Sequence, residues 1–508
     1  MKTPILGSAY VARSINAADN RMVNLFPEIV PEAGKEPAFL NRAPGLRLLT
    51  TAGDGPVRGL WTYGGVAYIV SGDKLYQMAG FATPAIIGTV SGTGPVSMAD
   101  NGTQLFIACN GPSYIYNNRT GTLEPITDPD FPGALAVGYL DGYFVFIEPN
   151  SQKIWVTTLL DGTSIDPLEF ASAEGSPDNL VSMIVDHREA WLFGTNSVEV
   201  WYNAGNADFP LQRIQGAYNE IGCAATYSVA KLDNGLFWLG SDARGQGIVY
   251  RSQGYTGIRV STHAIEYAIA QYGNISDAIG YTYQQEGHSF YVLIFPSADK
   301  TWVYDVSTQA WHERAGFDNG KFTRHRSNCQ MAYNNKIVVG DYANGNLYAF
   351  DLDVYADNGS IQKWLRSWRA LPTGQNNLNR TAHHSLQLDC ESGVGLNDVD
   401  GIESVYLITE SDLYLTTQAG DYLLSVAGNS TTGSNPQVML RWSDDGGHTW
   451  SNEYFAPVGK IGVYQQRVFW RRLGMTLKLR DRIYELSGTD PVKIAIMGAE
   501  LHLSGTNA

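Results

Sequence analysis

The clearest chemical pattern in the chain is Ser443-Asp444-Asp445-Gly446-Gly447-His448-Thr449-Trp450, which fits S-x-D-x-G-x-T-W, the Asp-box hairpin. An Asp two residues after the Ser can bond local backbone. A Gly at the tip can take φ > 0, and the closing Trp can pack under the loop. Ser443, Asp445, Gly447, Thr449 and Trp450 are therefore expected to build a structural turn, with Trp450 largely buried beneath it. The pattern supplies no nucleophile held beside a base.

Asp boxes occur in sialidase-like proteins, but there they form a hairpin away from the active site. A sialidase also needs an arginine cluster for the substrate carboxylate, an acid and a Tyr nucleophile. No spacing singles out three arginines here. The carboxylate pairs Asp128/Asp130 and Asp398/Asp400 flank Pro or Gly and read as turn residues. There is no H-E-x-x-H, no G-x-x-x-x-G-K-[ST], no G-x-G-x-x-G and no G-x-S-x-G. His383 and His384 are adjacent, so a strand would point them to opposite faces. The four cysteines include no C-x-x-C pair, which argues for buried free thiols over a zinc site. No catalytic, cofactor-binding or metal residue is named, and no cofactor is expected.

Charge narrows the class further. The 508 residues carry a formal charge of −15, which argues against a protein that grips nucleic acid through its phosphates. Basic residues nevertheless gather at Arg467, Arg471, Arg472, Lys478, Arg480 and Arg482. On a strand around Thr476, Lys478, Arg480 and Arg482 share one face. That face is either a solvated surface or a contact with an acidic neighbouring subunit. Met475, Leu477 and Leu479 would form the buried side of the same strand.

The elements that must position these residues are β-strands. Only 17% of residues are charged, while Gly reaches 54 and Tyr 29, a composition suited to many strands and tight turns. A two-strand pattern recurs seven times. Its first half is a short apolar strand preceded by a turn, as in Gly64-Gly65 before Ala67–Val70, Asn101-Gly102 before Leu105–Ala108 and Asp141-Gly142 before Tyr143–Phe146. Such dipeptides favour hairpins because type I′ turns need φ > 0. The second half carries an aliphatic–aromatic pair: Leu75-Tyr76, Ile115-Tyr116, Ile154-Trp155, Val200-Trp201, Val249-Tyr250, Val303-Tyr304 and Leu347-Tyr348. The aromatic positions lie 39 to 54 residues apart, the spacing of four-stranded propeller blades.

The expected fold is all-β: a propeller of about seven blades over residues 52–360, after an extended, Pro-rich N-terminal arm at 1–51. The arm is packed on its own subunit or reaches a neighbour, because Phe26, Ile29, Phe39 and Leu40 are costly to leave wet. Residues 361–508 form a C-terminal β-sandwich-like domain. No window approaches the roughly 20 apolar residues of a membrane span, so no stable membrane anchoring is expected, and no signal peptide is evident.

Two stretches bracket the chain and resemble one family. Arg21-Met22-Val23-Asn24-Leu25-Phe26-Pro27-Glu28 with Ala43-Pro44-Gly45-Leu46 is similar to the opening of packaged-DNA stabilisation proteins of short-tailed bacteriophages. Pro436–Gly447, Arg471-Arg472-Leu473-Gly474 and Asp481–Leu486 resemble the same group. The resemblance implies a tail hub, or nozzle, in the virion tail, synthesised in the bacterial host cytoplasm. It implies a homohexameric ring beneath the portal and adaptor proteins, in contact with a tail needle or with fibre or spike proteins. Packaged DNA would be retained behind it and pass through without sequence recognition. The family offers no catalytic residues. Residues 397–435 depart from its pattern and read as an insertion with strands around Val405–Ile408, Leu413–Leu415 and Tyr422–Leu424. The alternative is a propeller-type glycan-binding protein or sialidase-like glycosidase. A third reading is a propeller scaffold for a protein partner.

Overall fold

Every repeated turn lies where the chain reverses between the first and second strand of a four-stranded blade, though the last three blades extend into larger sheets. In the computed structural model the first such sheet comprises Val57–Tyr63, Val66–Ser71, Lys74–Ala79 and Ala85–Thr89, an antiparallel meander. Five more meanders follow, with innermost strands at Ser97–Asp100, Ala136–Leu140, Leu180–Asp186, Ala230–Leu232 and Ile279–Gln285. The seventh starts at Ser327–Tyr333. The structure describes residues 1–505, apart from 16, 32–33, 174, 243–244, 373–379, 397–404, 407–423, 426–432 and 477–481.

The repeat has a physical cause. All seven aliphatic–aromatic pairs sit on the third strand of their blade. Adjacent residues of a strand face opposite ways. Leu75 therefore enters the core shared with the second blade, while Tyr76 enters the core shared with the seventh. The same division holds around the ring: Ile154 faces forward and Trp155 back, Val303 forward and Tyr304 back. Seven interblade cores close the circle around a central cavity of about 730 Å³ lined from all seven sheets.

The ring is closed by the N-terminal stretch. Gly45–Thr51 is the fourth strand of the seventh blade, antiparallel to Asn346–Asp351. The preceding residues are the arm packed on its own subunit, pairing as extended strands along both sheets of the sandwich. Met22–Val23 bridges Ala310–Glu313 of the sixth blade to Trp364–Arg369. That sheet continues through Ile483–Gly488 and Gln437–Ser443 to Tyr454–Pro457. The opposing sheet runs Leu25–Ile29, Ala38–Arg42, Ala495–Gly505, Thr381–Cys390 and Val468–Arg471. Met22, Leu25 and Leu40 pack between them with Trp364, Trp368 and Trp470.

One local expectation is corrected. Met475 is 46% exposed and Thr476 is buried, the reverse of the expected parity, because Thr476 bonds Thr381 through both its N–H and its hydroxyl. The expected insertion at 397–435 falls mostly outside the described residues. Within it, Val405–Tyr406 pairs antiparallel with Leu424–Ser425.

Candidate functional site

The Asp-box residues converge as a turn at the end of Gln437–Ser443. The Ser443 hydroxyl donates to Asp445 Oδ1 at 2.6 Å and accepts from the Gly447 N–H at 2.8 Å. The Asp445 carboxylate accepts from the Thr449 N–H at 2.9 Å and the Thr449 hydroxyl at 2.6 Å. These donors hold the carboxyl well below its usual range. Gly447 has φ 98°, and a Cβ there would stand 2.9 Å from Asp19 Oδ2. Trp450 differs from expectation: it is half-buried. Its indole N–H donates to Gly447 O at 3.1 Å, and the Arg441 guanidinium lies over its ring at 4.7 Å. Asp445 is occupied by the turn itself, its carboxylate accepting from Ser443 and Thr449.

Of the basic run, Arg482 departs from expectation. Lys478 and Arg480 lie outside the described residues. Arg482 is no surface contact: its side chain is 1% exposed, and it donates from Nε and Nη2 to both oxygens of Asp444 at 2.6 and 2.7 Å. Nη1 bonds Leu473 O, and the guanidinium packs on the Trp442 ring. Burial of a charge requires such a partner, and here the partner adjoins the Asp box.

A second polar cluster lies where two crossings of the chain join propeller to sandwich. Arg42 is buried and donates to Val492 O at 2.8 Å and Tyr355 O at 3.0 Å, tying one crossing to the other and to the sandwich. Asn24, with φ 53°, donates to Ala315 O and Lys363 O and accepts from the Ala315 N–H. Asp357 sits among Arg326, Arg42 and Arg314. Burial still pushes its carboxyl up to about 7. The neighbouring His325 is pushed down to about 3, and His312 well below its usual value, again by burial. Three arginines around a perturbed carboxyl are what a sialidase cleft would display. Here Asp357, Arg42 and Arg314 are at most 3% exposed, and of the four only Arg326 reaches the surface, with 36% of its side chain exposed. The cluster fastens two domains. Sequence reasoning missed it because Arg42 and Asp357 are 315 positions apart and belong to no motif.

Among the described residues no group of three His, Cys, Asp or Glu is arranged to hold a metal. Among them, too, no helix is long and apolar enough to cross a membrane.

Comparison with known proteins ties both domains to one family. Residues 1–355 match the family described as bacteriophage P22 Gp10, beta-propeller, and residues 406–504 match bacteriophage P22 Gp10, beta-sandwich. The second match begins inside the segment expected to be an insertion. A search of curated protein sequences gives no match. Solved structures give loose likenesses. The computationally designed Ika8 protein is 12% identical, with a TM-score of 0.39 over 60% of this chain and 99% of its own. BamB from Moraxella catarrhalis is 12% identical, with a TM-score of 0.38 over 60% and 97%. The extracellular domain of the putative one-component system BT4673 from B. thetaiotaomicron is 12% identical, with a TM-score of 0.40 over 87% and 58%. The family matches span both domains, and by them the chain belongs to the bacteriophage P22 Gp10 family, the packaged-DNA stabilisation and tail hub proteins of the virion.

Proposed function

We propose that copies of this chain form a closed ring, a homohexamer, in the tail channel beneath the portal and adaptor. The ring retains packaged DNA, lines part of its exit path and carries the needle, fibre or spike proteins beyond it. Its role is structural and not enzymatic. The observation that carries this reading is the match of both the propeller and the sandwich to one tail hub family. The architecture supports it. The propeller is closed by a strand from the N-terminus, and the joint is clasped by Arg42 and Asn24, which suits a part under load from confined DNA. An acidic chain suits a wall along which phosphates slide without sticking, and Asp and Glu are expected to outnumber Lys and Arg along the bore.

Electron microscopy of virions and a DNA-retention assay test this together. Virions assembled without the chain should fill with DNA and then lose it to nuclease. Retention of DNA by such virions, or a location of the chain away from the tail axis, overturns the proposal.

A further inference from the structure

The net charge is not spread evenly. Residues 120–180 carry ten Asp or Glu and a single Lys. They build the outer part of the second blade and all of the third. The third blade has a long loop between Lys153–Val156 and Phe170–Ser172. Leu160 there has φ 63°, a left-handed conformation that bulky residues avoid. It is held by its N–H to Gly142 O at 2.7 Å and by Asn101 Nδ2 to its carbonyl at 3.3 Å. Asp128 Oδ2 accepts from the Ile165 N–H and fixes the far side. The fixed loop presents Leu159, Leu160 and Leu168 at 60, 60 and 79% exposure. Asp161, Asp166 and Glu169 lie in the same loop, and Asp130 lies two residues after Asp128, which bonds that loop at Ile165. Among the described residues none of these four is in an ion pair; the Asp161 carboxylate accepts from Gln104 and Thr163, and Glu169 Oε2 is buried without a hydrogen-bond partner. Strain kept by so many bonds at an exposed apolar tip marks a functional surface.

The sandwich ends in a surface of opposite charge. Tyr454–Pro457 and Val468–Arg471 are the last strands of its two sheets, linked side by side by Trp470 Nε1 to Tyr454 O at 2.8 Å. Residues 458–472 contain four basic side chains and no acid. Lys460, Arg467, Arg471 and Arg472 are exposed, and among the described residues none is in an ion pair. Phe455, Ile461 and Tyr464 stand beside them at 60, 52 and 75% exposure.

The two surfaces cannot meet within one chain. The sandwich grows from the sixth blade and is fastened at the seventh. In a ring of seven, the third blade is three places from either, on the far side of the cavity. We propose that they meet between copies: the acidic leucine loop of the third blade docks on the cationic aromatic edge of the next copy's sandwich. This rests on the ring reading above and names its contact. Two different patches in contact make a heterologous interface, which closes into a ring when its rotation closes. The leucines supply apolar anchors, and the unpaired charges set orientation and exclude wrong partners.

Charge-swap complementation in assembling tails tests it. One chain carries Asp130→Lys/Asp166→Lys, a second carries Arg467→Glu/Arg471→Glu, and a third carries all four. Each reversed chain alone should fold, by circular dichroism and unfolding midpoint, yet enter tails at about one-tenth the wild-type level, while the combined chain recovers to within about twofold. Wild-type entry of either reversed chain, or no recovery in the combination, overturns the contact. A second measurement needs no charge change. Leu160→Cys with Phe455→Cys should give intersubunit disulfide ladders in oxidised tails, and neither variant alone should. Absence of ladders also overturns the contact. A wild-type ring seen by microscopy with another interface sinks this proposal alone. Absence of any ring sinks the proposed function as well.

Discussion

Arg482 and Asp444 form a two-point ion pair, Nε to Oδ1 at 2.6 Å and Nη2 to Oδ2 at 2.7 Å, that locks the start of the Asp-box turn onto the neighbouring strand. The arginine side chain is 1% exposed and the aspartate 17%, so little solvent screens the pair. Removing one partner of a buried pair costs about 3–5 kcal/mol, because the other charge stays buried. Arg482→Ala and Asp444→Ala should each lower stability on that scale in urea unfolding. The double variant should cost clearly less than the sum. Additive losses would show that the two side chains act separately.

The joint cluster should give stability a distinctive pH dependence. Asp357 has a folded value raised to about 7 from 3.8. Its contribution favours the fold at low pH and is lost as pH rises through that interval. His325 and His312 act oppositely: neutral in the fold, they favour it above 6.5 and cease to do so as pH falls. Asp357→Asn removes the first effect and keeps the second. The stability of the variant relative to wild type should therefore rise between pH 4 and pH 7 and then level off, measured by denaturant midpoints. Parallel curves for the two chains would remove Asp357 as the titrating group.

Local pattern carried the propeller further than it carried the sandwich. Alternation on each third strand reports two interblade cores at once, so Leu75-Tyr76 and its six counterparts were legible as a repeat. Pairings between distant segments leave no such trace. Nothing around Gly45–Thr51 shows that it completes a blade whose other strands begin at Ser327. Arg482 looked like part of a surface run because its partner lies 38 residues away, and a buried ion pair has no sequence signature. The Asp box was readable as a turn because its bonds span at most four residues. The burial of Trp450 was not, because it depends on Arg441 and the neighbouring strand.

The N-terminal stretch should prove essential to both domains. Met22, Leu25, Leu40 and Leu46 are all at most 2% exposed, the first three in the sandwich and the last in the propeller. Fully burying such side chains contributes about 1.5–3 kcal/mol each, which together rivals the stability of a whole domain. Deleting residues 1–51 should yield insoluble protein. A finer probe is Gly45→Ala, whose Cβ would stand 2.4 Å from Val354 O and 2.5 Å from Ala356 O. Crowding of that kind costs about 1–3 kcal/mol. An unchanged melting point for Gly45→Ala would mean the crossing shifts freely.

At the Asp box the two ends of the turn should respond differently. Gly447→Ala forces a side chain onto φ 98° and toward Asp19, and about 1–3 kcal/mol of destabilisation is expected. Trp450→Ala should cost about 1–2 kcal/mol, less than the loss of a core tryptophan, because the ring is half-buried. Equal, core-scale losses at both positions would place Trp450 inside the domain. Sialoside hydrolysis that disappears in Asp445→Ala with folding intact would make the turn catalytic.

Binding to DNA should follow the local charge and not the total. At physiological salt, charges are screened over about 8 Å, so the acidic third blade neither repels nor steers DNA lying at the sandwich edge. That edge offers four exposed cations, Lys460, Arg467, Arg471 and Arg472. A contact releasing their counterions would give a salt dependence no steeper than about −0.9 per cation, or roughly −4 in all. The isolated chain should therefore bind duplex DNA weakly at low salt, without sequence preference, and lose that binding at physiological salt. Once copies assemble through that edge, even the weak binding should fall, because the acidic loop of the next copy covers the same cations. Tight binding that persists at physiological salt in the assembled ring and vanishes in Arg467→Ala/Arg471→Ala/Arg472→Ala would make the edge a phosphate grip facing the bore.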